Sequence, residues 1–104
     1  MINSINPDRE KLYEDENGYV LASFVQEKQT VFIHLHFNPG AWSVSKYKHY
    51  KELFPTLLNK IKEGRQYVYA TPYETDVKAQ KLIKMFEFKE CGRWCGLVLM
   101  RREV

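Results

Sequence analysis

Alternation of apolar and polar positions is sharpest between Thr30 and Phe37. Val31, Ile33, Leu35 and Phe37 fall on one side, and Phe32, His34 and His36 on the other. That is the period of two of a pleated strand. A strand this apolar belongs inside a sheet, and Asn38-Pro39-Gly40 ends it, because Pro and Gly do not continue a ladder. Tyr19 to Gln26 reads as a second strand. With Glu27-Lys28-Gln29 as a short polar connection, the two predict an antiparallel hairpin.

The period then changes. Tyr47, Tyr50, Phe54, Leu57, Leu58 and Ile61 recur at spacings of three and four, which predicts an amphipathic helix over Ser45 to Glu63. Ser45 is the expected N-cap and Gly64 the expected stop. Pro55 predicts a kink near Phe54. Gln66 to Ala70 reads as a short buried strand. A second helix follows from Asp76 to Phe86, capped by Thr75 or Asp76. Its apolar side carries Val77, Leu82, Ile83 and Phe86, and its outer ridge Lys78, Lys81 and Lys84. Phe88 to Cys91 and Cys95 to Arg101 are two closing strands joined by Gly92-Arg93-Trp94. Residues 1–18 read as a polar lead-in, with a short helix opening at Asn6-Pro7 and ending in Asp15-Glu16-Asn17-Gly18. The predicted order is β-β-α-β-α-β-β, an α/β (α+β) fold with a mixed sheet. A single domain spans residues 19–104, and its central strand–helix–strand unit requires a right-handed crossover.

Length and composition narrow the picture. A chain of 104 residues holds one core and not two. No apolar run approaches the roughly 20 residues that span a bilayer, and the polar opening lacks the apolar centre of a signal peptide. A cytoplasmic protein is expected. Cys91 and Cys95 have neither the redox nor the zinc-ribbon spacing, so two reduced thiols are expected. Residues 1–27 carry two basic and six acidic side chains, a net charge of −4. Residues 28–104 carry fourteen and seven, a net charge of +7. The basic part suits an anionic partner such as a nucleic acid, a phosphate-bearing cofactor or an acidic protein.

Ala70-Thr71-Pro72, followed by Asp76 to Phe88, resembles a segment of the GNAT (N-acetyltransferase-like) superfamily. Asp76 stands where the family often has the Asn that opens a helix. Ala79 holds the place of its Ala, and Phe88 that of the Phe in a closing Gly-Phe. Ile83 occupies the position of the Tyr that often protonates the CoA thiolate, and Glu87 that of the Gly. The resemblance implies that backbone amides between the second strand and the long helix hold the CoA pyrophosphate. There Trp42 takes the place of the family's Arg or Gln, and Ser45 and Tyr47 take those of two small residues. The Tyr47 ring is expected to crowd that turn. The chain thus resembles a shortened, degenerate member of the small phage-encoded type, which would place it in host cytoplasm or virion.

The leading expectation is a GNAT-like domain that has lost acetyl-CoA-dependent catalysis and binds another protein. Trp42, Tyr73 and Trp94 are its candidate anchors, and no cofactor is expected. Apolar surface left exposed where the family's N-terminal helices would lie would support it. The alternative is a small acyltransferase using acetyl-CoA. Its pyrophosphate would sit on Val44, Ser45, Lys46, Tyr47 and Lys48, with His34 or His36 as base. A third reading is a basic nucleic-acid-binding module, in which Tyr67, Tyr69 and Tyr73 stack on bases. A homo-oligomer stays open. His34 and His36 lack a third placed ligand, so no metal is expected.

Overall fold

The computed structural model describes residues 8–25, 29–40 and 43–104. Six strands and two helices follow in the order β1 (Asp8–Asp15), β2 (Gly18–Val25), β3 (Thr30–Phe37), α1 (Val44–Asn59), β4 (Tyr67–Ala70), α2 (Val77–Met85), β5 (Lys89–Trp94) and β6 (Leu97–Glu103). The sheet is ordered β1-β2-β3-β4-β6-β5. Only β3 and β4 run parallel; every other neighbour is antiparallel. This is the expected mixed α+β sheet, with the predicted hairpin (β2–β3) in register from Gly18↔Phe37 to Val25↔Thr30.

One strand more is present than the pattern predicted. Residues 8–15 are not the end of a helical lead-in but the edge strand β1. A bulge between Lys11 and Tyr13 obscures its alternation, because the extra residue inverts the parity of everything after it. Asn6-Pro7 lies outside the described residues. Ser43, not Ser45, caps α1; its side chain accepts from the Lys46 N–H at 3.2 Å. The helix runs through Pro55 and ends at Asn59 rather than Glu63, with Gly64 (φ 70°) in the turn beyond. The β5–β6 turn falls on Cys95-Gly96 rather than Gly92-Arg93-Trp94. Both turn residues have positive φ (49° and 79°), as a type I′ hairpin demands.

Both helices pack on one face of the sheet. Val31, Ile33, Val68, Val98 and Met100 of that face close on Tyr50, Phe54, Leu57 and Leu58 of α1 and on Phe86 at the end of α2. Phe54 and Phe86 meet at 5.1 Å between ring centroids. Leu82 and Ile83 reach this core, whereas Val77, expected on the apolar side, is exposed. No helix among the described residues is long and apolar enough to cross a membrane.

Candidate functional site

The face opposite the helices carries no helix among the described residues. Register aligns one row of side chains across all six strands of that face: Arg9, Ser23, Phe32, Tyr69, Arg101 and Lys89. A groove of about 450 Å³ crosses this row. Val25, Phe32, Leu97, Leu99 and Trp94 give it apolar walls, and Arg9, Ser23, His34 and Thr71 supply the polar groups.

Ser23 and His34 form the polar centre. His34 pairs with Leu21, so Ser23 is its diagonal neighbour on the same face. The buried Ser23 Oγ lies 3.0 Å from His34 Nε2. His34 keeps an exposed edge in the groove. Partial burial of its ring, and secondarily the positive charge of Arg9, hold the imidazole below its ordinary pKa, so the neutral form prevails at pH 7. The bond fixes the ring; when Nε2–H donates to Ser23, Nδ1 carries the free lone pair. His36, on the same strand face, stacks on Tyr19 at 5.0 Å between centroids and does not line the groove. Ser23 was not singled out from sequence. Its polar side chain at a strand-interior position was the available signal.

Beside the groove the sheet opens. β3 and β4 meet at one register position, Phe32↔Tyr69. Beyond it β4 stays with β6 through Ala70↔Met100, and the chain leaves along β6 through the bond from Val98 N–H to Pro72 O at 2.9 Å. β3 continues with β2 to Phe37. Beyond Phe32↔Tyr69 no β3–β4 pairing is recorded among the described residues, which leaves an unpaired wedge toward the C-terminal ends of the two parallel strands, where ligands of parallel α/β sheets commonly bind.

α1 begins after that end of β3, and its first turn bears Lys46 and no acidic residue. The helix dipole and Lys46 and Lys48 therefore favour an anion there. The β1–β2 turn locks this helix end in place. Lys46 Nζ donates to Asn17 Oδ1 at 2.9 Å, Asn38 N–H donates to Asn17 O at 2.7 Å, and Tyr50 OH donates to Asp15 Oδ1 at 2.5 Å. Burial pushes the Asp15 carboxyl up. Hydrogen bonds from Tyr50, Asn17, Tyr13 and Gly18 outweigh it and hold Asp15 below the usual carboxylate range. Gly18 is required in this lock, since a Cβ there would lie 1.9 Å from the His36 carbonyl oxygen.

Tyr47, expected to crowd the turn before α1, contacts α2. Its hydroxyl donates to Met85 O at 3.1 Å and its ring meets Phe86 edge-on. The side chain is thus engaged with the C-terminal end of α2. Ser45 is exposed, with its hydroxyl 3.3 Å from that of Ser43, and Val44 is 72% exposed. Ile83 is half-buried against the core. Trp94 and Tyr73 are exposed and both pair with Leu97, by the β5–β6 ladder and by an isolated bridge. Trp42 lies outside the described residues. Among the described residues no three His, Cys, Asp or Glu side chains gather as a metal cage.

No known family profile matches the chain, and no curated protein matches it in sequence. Solved structures do match. An acetyltransferase from Thermus thermophilus superposes with a TM-score of 0.69 at 18% identity, over 99% of this chain and 69% of that one. The GNAT domain of S. lividans PAT gives 0.66 at 8% identity, over 85% and 54%. Aminoglycoside acetyltransferase AAC(6')-Ib, solved with coenzyme A and kanamycin, gives 0.63 at 12%, over 84% and 59%. This is the GNAT acetyltransferase fold. As a GNAT fold the chain is short, spanning little more than half of the last two neighbours.

Proposed function

We propose that the chain is a small acyl-CoA-dependent N-acyltransferase that seats its donor at the β3–β4 wedge and an acceptor amine in the groove. The observation that carries this reading is the placement of His34, held neutral and aimed by Ser23, in an apolar groove beside the wedge. Several solved neighbours contain coenzyme A or acetyl-CoA, and the residues here suit such a donor. Lys48, Lys46 and the α1 N-terminus would hold its phosphates. The Tyr47 ring is occupied by α2, which weakens the steric argument against it.

The donor supplies an activated thioester carbonyl. Everything else falls to the chain. A C–N bond forms as the C–S bond breaks, and the amine must shed one proton. His34 takes that proton as base and returns it to solvent, while the apolar walls limit competing water. Ile83 offers no proton, so the departing thiolate is protonated from solvent.

Calorimetry with acetyl-CoA, followed by an acyl-transfer assay on an amine panel, tests the proposal. Micromolar donor binding is expected, together with a loss of about 10²–10⁴ in turnover for His34→Gln. Silence at millimolar donor would overturn it. That result would leave the second reading, a binding module, favoured by the exposed aromatics Trp94 (78% exposed), which lines the groove, and Tyr73 (68% exposed), which bridges to the groove residue Leu97. Aromatic side chains of this kind anchor protein partners.

A further inference from the structure

The groove's charge is one-sided. Its lining contains a guanidinium, Arg9, an imidazole, His34, and two hydroxyl residues, but neither Asp nor Glu. Arg9 lies opposite Ser23 in the sheet, and its positive charge is felt at His34. No carboxylate pairs with Arg9 among the described residues. Phe32, Val25, Leu97, Leu99 and Trp94 enclose the remaining volume. A polyamine would find no counter-charge here and would meet Arg9 as repulsion. An apolar amine that carries one carboxylate meets complementary chemistry at each point: a planar fork for the carboxylate, apolar walls for its body, and a neutral base for its nitrogen.

We infer that the groove is an acceptor subsite for hydrophobic amino acids, with Arg9 as the residue that selects for the carboxylate. The assignment rests on the acyltransferase reading for its role, and on the lining alone for its binding preference. Arg9 sits on edge strand β1 and is exposed, so its replacement leaves the helix-side core intact.

Titrations monitored by nuclear magnetic resonance, without any acyl donor, test the preference. The probes are L-phenylalanine, phenethylamine and spermidine, and the proteins are wild type, Arg9→Gln and Arg9→Lys. We expect phenylalanine to bind with the largest shifts at the Trp94 indole and His34. Phenethylamine should bind roughly tenfold more weakly, a factor set by one charge-assisted contact at a partly exposed site. Arg9→Gln should erase that difference, and Arg9→Lys should restore part of it. Equal binding of phenylalanine and phenethylamine, preference for spermidine, an unaltered ratio in a folded Arg9→Gln, or no binding by any probe would each overturn the assignment. Retained phenylalanine selectivity with no acyl transfer would instead remove the acyltransferase reading and leave the subsite standing.

Discussion

Asp15→Asn tests the lock between the sheet and the first turn of α1. The carboxylate accepts from Tyr50 OH at 2.5 Å, Asn17 N–H at 2.8 Å and Gly18 N–H at 3.2 Å on Oδ1, and from Tyr13 OH at 3.0 Å on Oδ2. The amide keeps one acceptor oxygen and turns the other site into a donor facing a phenol. Tyr50 is only 3% exposed, so its hydroxyl has little water to fall back on. Weakening that bond and losing the Tyr13 contact each cost about 1 kcal/mol, for a total near 2 kcal/mol. The two turn amides rehydrate at little expense. In a domain of this size the loss lowers Tm by about 10 °C. Thermal melts by circular dichroism at pH 7 read it directly, and a cycle with Tyr50→Phe should show coupling of about 1 kcal/mol. The pH dependence carries a sign. The folded pKa of Asp15 is depressed, so its contribution is complete above the unfolded value of about 3.9 and fades as pH falls through the folded value. The wild-type advantage must therefore shrink in acid. Melts that overlay at pH 7, or a gap that stays constant into acid, would refute the lock.

Gly18→Ala should destabilise by about 3 kcal/mol, seen as a lowered urea midpoint, because the clash is with the His36 main chain and not with a flexible side chain. His34 has a lowered folded pKa, so its stabilising share is whole above about pH 6.5 and is lost as pH falls through the folded value. Urea melts at pH 8 and pH 5 should show a larger acid loss in wild type than in His34→Gln. Cys95→Asn keeps the type I′ turn with a residue that tolerates positive φ better, and should raise Tm by a few degrees, worth about 0.5 kcal/mol. An unchanged or lower Tm would count against strain at Cys95.

Legibility followed the local periodicities. β3 stood out because its core-facing and groove-facing residues alternate without interruption, and α2 because Asp76 accepts from Ala79 N–H in the way its spacing implied. β1 did not stand out. As an edge strand with a bulge it has charged residues on both sides of Leu12, and only pairing with β2 makes it a strand. The missed turn at Cys95-Gly96 has the same character: cysteine is an uncommon turn residue, and Gly92 was the more obvious breaker. The placement of two groove residues depended on those two misreadings. Arg9 becomes a groove residue only once β1 is placed, and Trp94 moves from a turn to a strand. His34 was legible as a face residue. Its partner Ser23 required the register, since a diagonal contact cannot be read from one strand alone. The engagement of Tyr47 was illegible for a related reason: its hydroxyl and ring meet Met85 O and Phe86 at the end of α2, a contact between elements that one helix's sequence does not show.

The two halves of the proposed site are also two ends of one hairpin. His34 sits midway along β3. The strand's end, at Phe37 and Asn38, is bonded to the 15–18 turn, which in turn grips Lys46 and Tyr50 of α1. Three residues of extended chain separate His34 from Phe37, about 10 Å at ordinary strand rise. A strand has no soft torsion with which to vary that distance while its ladder is intact. The spacing between a base in the groove and an anion at the helix N-terminus is therefore fixed by β2–β3 register rather than by loop conformation. A slip of one residue would bury His34 and turn Ile33 into the groove. Gly18 guards against it, because the close approach of the His36 carbonyl at 1.9 Å from any Cβ is met by glycine at this one alignment. Milder damage to the lock, as in Asp15→Asn, should then loosen the helix end while leaving His34 in place. It should weaken an anionic donor and spare binding in the groove, and equal loss at both ends would show that the halves are not separable in this way.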